Sequence, residues 1–236
     1  MSEPQVVVVD DINALSDEAA ARIERAALDA PEDATTSIAL AGGHTPRGAY
    51  QHLADRRPPW ERMQFFFGDE RLVPADDPGS NYHMAYEALF SRASVPDAQV
   101  HRIRGELPPE DAAREAAGEL AAHVAGEPWP RLDLVLLGMG PDGHTASLFP
   151  GAAEVGVADR TTVPVHRPDL PQPWRVSMTL PVLNAARRVM FLVAGEDKAD
   201  VAARAVAGDA SLPAGMVRPA DGELTWLITR DAATKL

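Results

Sequence analysis

The side chains best equipped for chemistry stand in one glycine-rich segment, Gly138-Met139-Gly140-Pro141-Asp142-Gly143-His144-Thr145-Ala146-Ser147, which follows the apolar run from Leu132 to Leu137. Imidazole titrates near neutrality, so His144 can take a proton from water and return it later. An apolar run ending in glycines suits a parallel strand covered on both faces, followed by a loop whose amides approach a ligand closely. The spacing Gly138-x-Gly140-x-x-Gly143 also satisfies a dinucleotide-binding pattern. Here Phe149-Pro150-Gly151 cuts off any helix after about two turns, Pro141 removes an amide donor, and neither Glu154 nor Asp159 ends a second strand where a ribose carboxylate belongs. No nicotinamide cofactor is expected. Ser147 with His144 offers a nucleophile and its base, but the Gly-x-Ser-x-Gly elbow that such serines use is absent, and a structural hydroxyl is the preferred reading.

Three further glycine-marked loops follow apolar stretches: Gly42-Gly43-His44-Thr45-Pro46, Gly68-Asp69-Glu70-Arg71 and Gly195-Glu196-Asp197-Lys198. The C-terminal ends of parallel strands share one edge, so the four loops converge on one cleft where the strand order reverses. They bring His44, Arg71, His144 and Lys198 together. Lys198 is one of two lysines, with Lys235, against 20 arginines. It stands at the start of a helix, where the macrodipole disfavours a cation unless an anion binds beside it.

The elements that must position these loops alternate along the chain. Strands are predicted at residues 5–10, 37–41, 62–67, 132–137, 189–194 and 224–229, with shorter ones at 161–165 and 175–179. Helices are predicted at 16–30, with Ser16 as N-cap and Asp17 and Glu18 in the first turn, from Pro46 onward, at 80–90, 108–124, 181–185 and 198–207. Alternation of this kind predicts a single α/β domain over residues 1–236: a mainly parallel, doubly wound, Rossmann-like sheet with helices on both faces. Trp60, Trp129, Trp174 and Trp226 are expected to pack, and Phe65-Phe66-Phe67 to form a strand buried on both faces.

With 236 residues and 45% hydrophobic content the chain can bury a full core. A net charge of −13 argues against a nucleic-acid or acidic-membrane partner, so an anionic substrate needs a local basic patch. There is no cysteine, no apolar run near the ~18 residues of a membrane span and no basic leader, which predicts a cytoplasmic protein. The remaining histidines, His52, His83, His101, His123 and His166, include no His-x-x-x-His pair, so no metal is expected.

Residues 41–46, the stretch Gly68-Asp69-Glu70-Arg71-Leu72-Val73-Pro74 with Ser80-Asn81, and residues 138–151 resemble, in order and spacing, the three signatures of the 6-phosphogluconolactonases. Trp174-Arg175-Val176-Ser177-Met178-Thr179 and Gly195-Glu196-Asp197-Lys198-Ala199 follow in the order of that family. The resemblance implies hydrolysis of 6-phospho-D-glucono-1,5-lactone to 6-phospho-D-gluconate in the oxidative pentose phosphate pathway, with a small sugar-phosphate lactone as partner, no cofactor and no obligate protein partner. It implies His144 as general base and later acid, Asp142 or Asp69 fixing its tautomer, and Arg71 stabilising charge at the lactone. Gly42, Gly43, Thr45, Arg175 and Lys198 would hold the phosphate. Ala41 and His44 stand where the family usually has serines, which removes two hydroxyl contacts. Two alternatives stand beside this one: a glucosamine-6-phosphate deaminase, whose histidine loop continues toward an Asn-Glu-Pro segment rather than Ser147-Leu148-Phe149-Pro150-Gly151, and a non-catalytic sugar-phosphate sensor.

Overall fold

The computed structural model describes residues 3–236. Six strands, β1 (Gln5–Val9), β2 (Thr36–Leu40), β3 (Met63–Phe67), β5 (Leu134–Leu137), β8 (Arg188–Val193) and β9 (Glu223–Thr229), form the main sheet. It is parallel throughout and runs in the order β1-β9-β8-β5-β2-β3. Three more, β4 (Asp69–Arg71), β6 (Thr162–His166) and β7 (Trp174–Met178), form a second, antiparallel sheet with β7 in the middle. Residues 69–71 read as loop in the sequence. They form a strand because Gly68 passes the chain out of the main sheet, and its carbonyl accepts from the Met178 amide at 2.8 Å.

Side-chain alternation divides the interior into two cores, one on each face of the main sheet. Ile38, Leu40, Phe65, Phe67, Leu134 and Leu136 share one face with α1 (Ile12–Leu28) and α2 (His44–Arg56). Ala39, Phe66, Val135, Leu137, Phe191 and Trp226 share the other with α5 (Leu180–Ala185), α6 (Ala199–Val206) and α7 (Pro213–Met216). Phe191 and Trp226 stack there in parallel at 3.9 Å. The helix α4 (Pro109–His123) contributes alanines to the first core and Leu120 to the second. The Phe65-Phe66-Phe67 strand is buried on both faces, as its composition predicts.

Three local predictions are corrected. The helix α1 begins at Ile12, because the Asp11 side chain accepts from the amides of Asn13 and Ala14, both at 2.9 Å. Ser16 is therefore interior, its hydroxyl turned back to the Ile12 carbonyl at 2.8 Å. The predicted helix at 80–90 is α3 (Asn81–Ala85), capped by Ser80, continued by a π-helical turn, Tyr86–Phe90. Trp174 is 41% exposed, lying at the open end of β7 stacked on its register partner His166 at 4.2 Å. Among the described residues no helix is long and apolar enough to cross a membrane.

Candidate active site

From β2 the chain steps outward to β3, and β5 then adds on the other side of β2, so the order reverses between β2 and β5. A cleft of about 330 Å³ opens at the C-terminal ends of these strands. All four glycine-marked loops reach it: Gly42, Gly43, His44 and Thr45 after β2, Asp69 and Arg71 of β4, Gly138, Gly140 and His144 after β5, and Lys198 after β8, with Arg175 of β7 completing the wall.

The β5 loop is built to present His144. The Gly140 amide donates to the His144 carbonyl at 2.9 Å, the Thr145 hydroxyl to the Gly138 carbonyl at 2.9 Å, and Gly143 takes φ +81° at the bend. A Cβ on Gly140 would lie 2.1 Å from the imidazole, so glycine there lets the ring lie against the backbone. Nδ1 of His144 lies 2.6 Å from Asp142 Oδ1, which also accepts the His144 amide at 3.1 Å. A carboxylate only accepts, so Nδ1 carries a proton, and in the neutral ring the lone pair lies on Nε2. Desolvation pushes the Asp142 carboxyl up, but the charge and hydrogen bonds of His144 outweigh it and hold the carboxyl below its ordinary value. Phe149 packs against the imidazole at 4.5 Å between ring centres.

Of the two carboxylates expected to orient His144, the geometry selects Asp142. Asp69 is buried and committed elsewhere: it accepts from the Ser147 hydroxyl at 2.6 Å and from Asn81 Nδ2 at 3.2 Å. Ser147 is fully buried and donates its hydroxyl to Asp69 rather than to His144, which favours the structural reading of this serine.

The cationic side of the cleft is formed by Arg71, Arg175 and Lys198. Arg71 donates to the Gly79 carbonyl at 2.8 Å and leaves Nε unpartnered. Arg175 is 8% exposed and its side chain makes no hydrogen bond or ion pair among the described residues, although Phe149 lies under its guanidinium at 5.9 Å. Burial lowers the Arg175 pKa; Asp69 works against this, and Arg71 and Arg167 add to it. Lys198, at the N-terminus of α6, is mostly buried and lies 3.4 Å from Asp197.

Sequence reasoning misses two residues at this site. Asn81, buried at the start of α3, lines the cleft; its Nδ2 donates to the Asp69 carbonyl at 2.8 Å while its Oδ1 has no partner. A Cβ on Gly42 would lie 1.8 Å from that Oδ1, so the close approach of the β2 loop to Asn81 requires glycine. Beneath them Glu70, pointing away from the cleft, accepts from the amides of Arg71, Asn81 and Tyr82, each at 2.7 Å, and from the Ser80 hydroxyl at 2.9 Å. Burial pushes its carboxyl up to about 7 against the pull of these bonds. Glu70 thereby locks β4 to α3 and fixes the backbone that carries Asp69 and Arg71. Four donors on one carboxylate arise only when residues 70 and 80–82 meet in space, a contact that spacing does not announce.

A parallel sheet with a cleft at its order reversal is the arrangement in which α/β proteins hold small ligands at their strand ends, and the cationic wall beside a carboxylate-paired histidine suits an anion. A family model described as glucosamine-6-phosphate isomerases/6-phosphogluconolactonase matches residues 10–226, and the chain belongs to that family. It is 37% identical over 248 residues to the 6-phosphogluconolactonase of Streptomyces coelicolor, covering 99% of this chain and 95% of that protein. It is 39% identical over 206 residues to that of Synechocystis, covering 85% and 84%. The crystal structure of 6-phosphogluconolactonase from Thermotoga maritima superimposes with a TM-score of 0.84 at 33% identity, covering 96% of this chain and all of that one.

Proposed function

We propose that His144 activates the water that opens 6-phospho-D-glucono-1,5-lactone to 6-phospho-D-gluconate in this carboxylic ester hydrolase of the oxidative pentose phosphate pathway. The observation that carries the role is the 2.6 Å contact of Asp142 with Nδ1, which leaves the Nε2 lone pair as the base beside a cationic wall. Water oxygen bonds to C1 as Nε2 takes one of its protons. The C1–O5 bond then breaks and the imidazolium returns that proton to O5; the C1 carboxylic acid ionises to the carboxylate, releasing the second proton of the water. Arg71 stabilises the oxyanion that develops at C1. The phosphate is held by the amides of Gly42 and Gly43 ahead of α2, by Thr45, Arg175 and Lys198, each charge-assisted bond contributing about 1.5–3 kcal/mol. His44 occupies the rim beside them. The relatives matched at 37–39% identity carry the lactonase name, which favours ring opening over deamination.

The test is His144→Asn, assayed over the spontaneous hydrolysis of the lactone. Turnover is expected to fall by about 10²–10⁴-fold with 6-phosphogluconate binding retained. Wild-type turnover in the variant would remove His144 from the chemistry. A wild type that binds the product but does not accelerate hydrolysis would identify a sensor instead.

A further inference from the structure

Away from the cleft, three side chains that the lactonase mechanism does not use converge on one point. We propose that His101, Glu119 and His123 form a site for a divalent transition metal of the zinc class. Glu119 and His123 lie one turn apart at the C-terminal end of α4, and the ligand atoms of all three residues lie within 4.8 Å of one another. Glu119 Oε2 is 2.9 Å from His101 Nδ1 and 3.7 Å from His123 Nδ1. A tetrahedral zinc ion with bonds of about 2.05 Å holds its ligands roughly 3.3 Å apart, midway between these distances.

Both ring nitrogens of His101 face acceptor oxygens, Nε2 at 2.5 Å from Gln64 Oε1 and Nδ1 at 2.9 Å from Glu119 Oε2. With the ring proton on Nε2, Nδ1 presents its lone pair beside the Glu119 carboxylate, and a positive centre between the two, a metal ion or a second ring proton, satisfies both. An acceptor on the far nitrogen also orients a metal-bound histidine, and Gln64 Oε1 supplies one here. Neighbouring groups hold His101 in this orientation, since its amide donates to the Phe65 carbonyl at 2.8 Å and its ring stacks on Phe66 at 4.6 Å and 12°. His123 is exposed; its Nδ1 donates to the Glu119 carbonyl at 2.9 Å and its ring lies against that of His101 at 4.1 Å, so metal binding requires its side chain to leave these contacts and rotate a ring nitrogen toward the other two ligands. Two imidazoles and one carboxylate suit zinc, cobalt or nickel rather than calcium or magnesium, and leave a fourth position for water. Neither Cys nor His-x-x-x-His spacing marks the site; the signal is Glu119-x-x-x-His123 on one helix face, completed by a distant His101.

The protein, stripped with a chelator, is titrated with zinc chloride and separately with cobalt chloride. One equivalent is expected to bind, cobalt giving the intense visible absorption of a tetrahedral site, and zinc raising Tm by several degrees. His123→Ala and Glu119→Gln remove exposed ligands and are expected to weaken binding by at least about 100-fold. Their lactonase kcat/KM should be unchanged, and chelation should leave turnover of the wild type intact, because these residues line no part of the cleft. Failure of both metals to bind overturns the proposal and leaves a proton alone between His101 and Glu119. Equal binding by wild type and both variants also overturns it, and loss of that binding in His144→Asn would then place the metal on the His144–Asp142 pair.

Discussion

Arg71 and Arg175 are direct register partners across β4 and β7, so two guanidinium groups project from one face of an antiparallel pair, and the second of them is buried without a hydrogen bond. Like charges placed opposite each other destabilise a strand pair. The arrangement costs stability, and under the proposed function a substrate with two negative sites, a phosphate and a developing oxyanion, would relieve it.

Arg175→Met is therefore expected to leave the ligand-free protein as stable as the wild type or up to about 1–3 kcal/mol more stable, since an apolar side chain of similar volume removes a desolvated charge. KM for the phosphorylated lactone should rise by about 10–100-fold. Urea unfolding in phosphate-free buffer, paired with steady-state kinetics, checks both signs. A variant that loses stability and keeps its KM would show Arg175 to be a structural cation.

Asp142→Asn tests the orientation of His144 apart from its presence. The amide lets the imidazole settle in either tautomer, so kcat is expected to fall by about 10²–10⁴-fold with KM nearly unchanged. The Asp142 carboxyl is held below its ordinary value, so its contribution to folding is fully present above the usual carboxylate range and is lost as pH falls through that lowered value. The stability gap between wild type and Asp142→Asn, followed by denaturant titration from neutral to strongly acidic pH, should narrow on the acid side. A gap that widens with acid would mean the carboxyl is stabilised as its neutral form.

Much of this site is legible in the sequence, for a physical reason. Strand-end loops announce themselves through apolar runs broken by glycine, and parallel strands bring such loops to one edge; Gly42, Gly68, Gly138 and Lys198 are placed together by that rule alone. What stays hidden depends on three-dimensional pairing. The choice of Asp142 over Asp69 rests on a two-residue loop contact against a buried Ser147, and Asn81 and Glu70 act through bonds between segments about ten residues apart. The misplaced start of α1 has a local cause: Asp11 and Ser16 are both competent caps, and the aspartate comes first.

Lys198 offers the sharpest separation between a binding role and a merely structural one, because the chain has one other lysine and that one is at residue 235. Its side chain is mostly buried at the N-terminus of α6, where a cation faces the positive end of the helix, and its one charged neighbour within 4.0 Å among the described residues is Asp197 at 3.4 Å. A phosphate held in the cleft as proposed would reverse that disadvantage. Lys198→Ala is expected to raise KM for 6-phosphogluconolactone by about 10–100-fold, the loss of one charge-assisted contact, with a smaller effect on unphosphorylated gluconolactone. Some fall in kcat for the phosphorylated substrate is also expected, because under the proposed mechanism a remote phosphate contact would help to place C1 against the water on His144. The deciding quantity is the difference between the two substrates. If both lactones respond alike in a variant that melts as the wild type does, Lys198 contacts no phosphate, and the cationic wall reduces to Arg71 and Arg175.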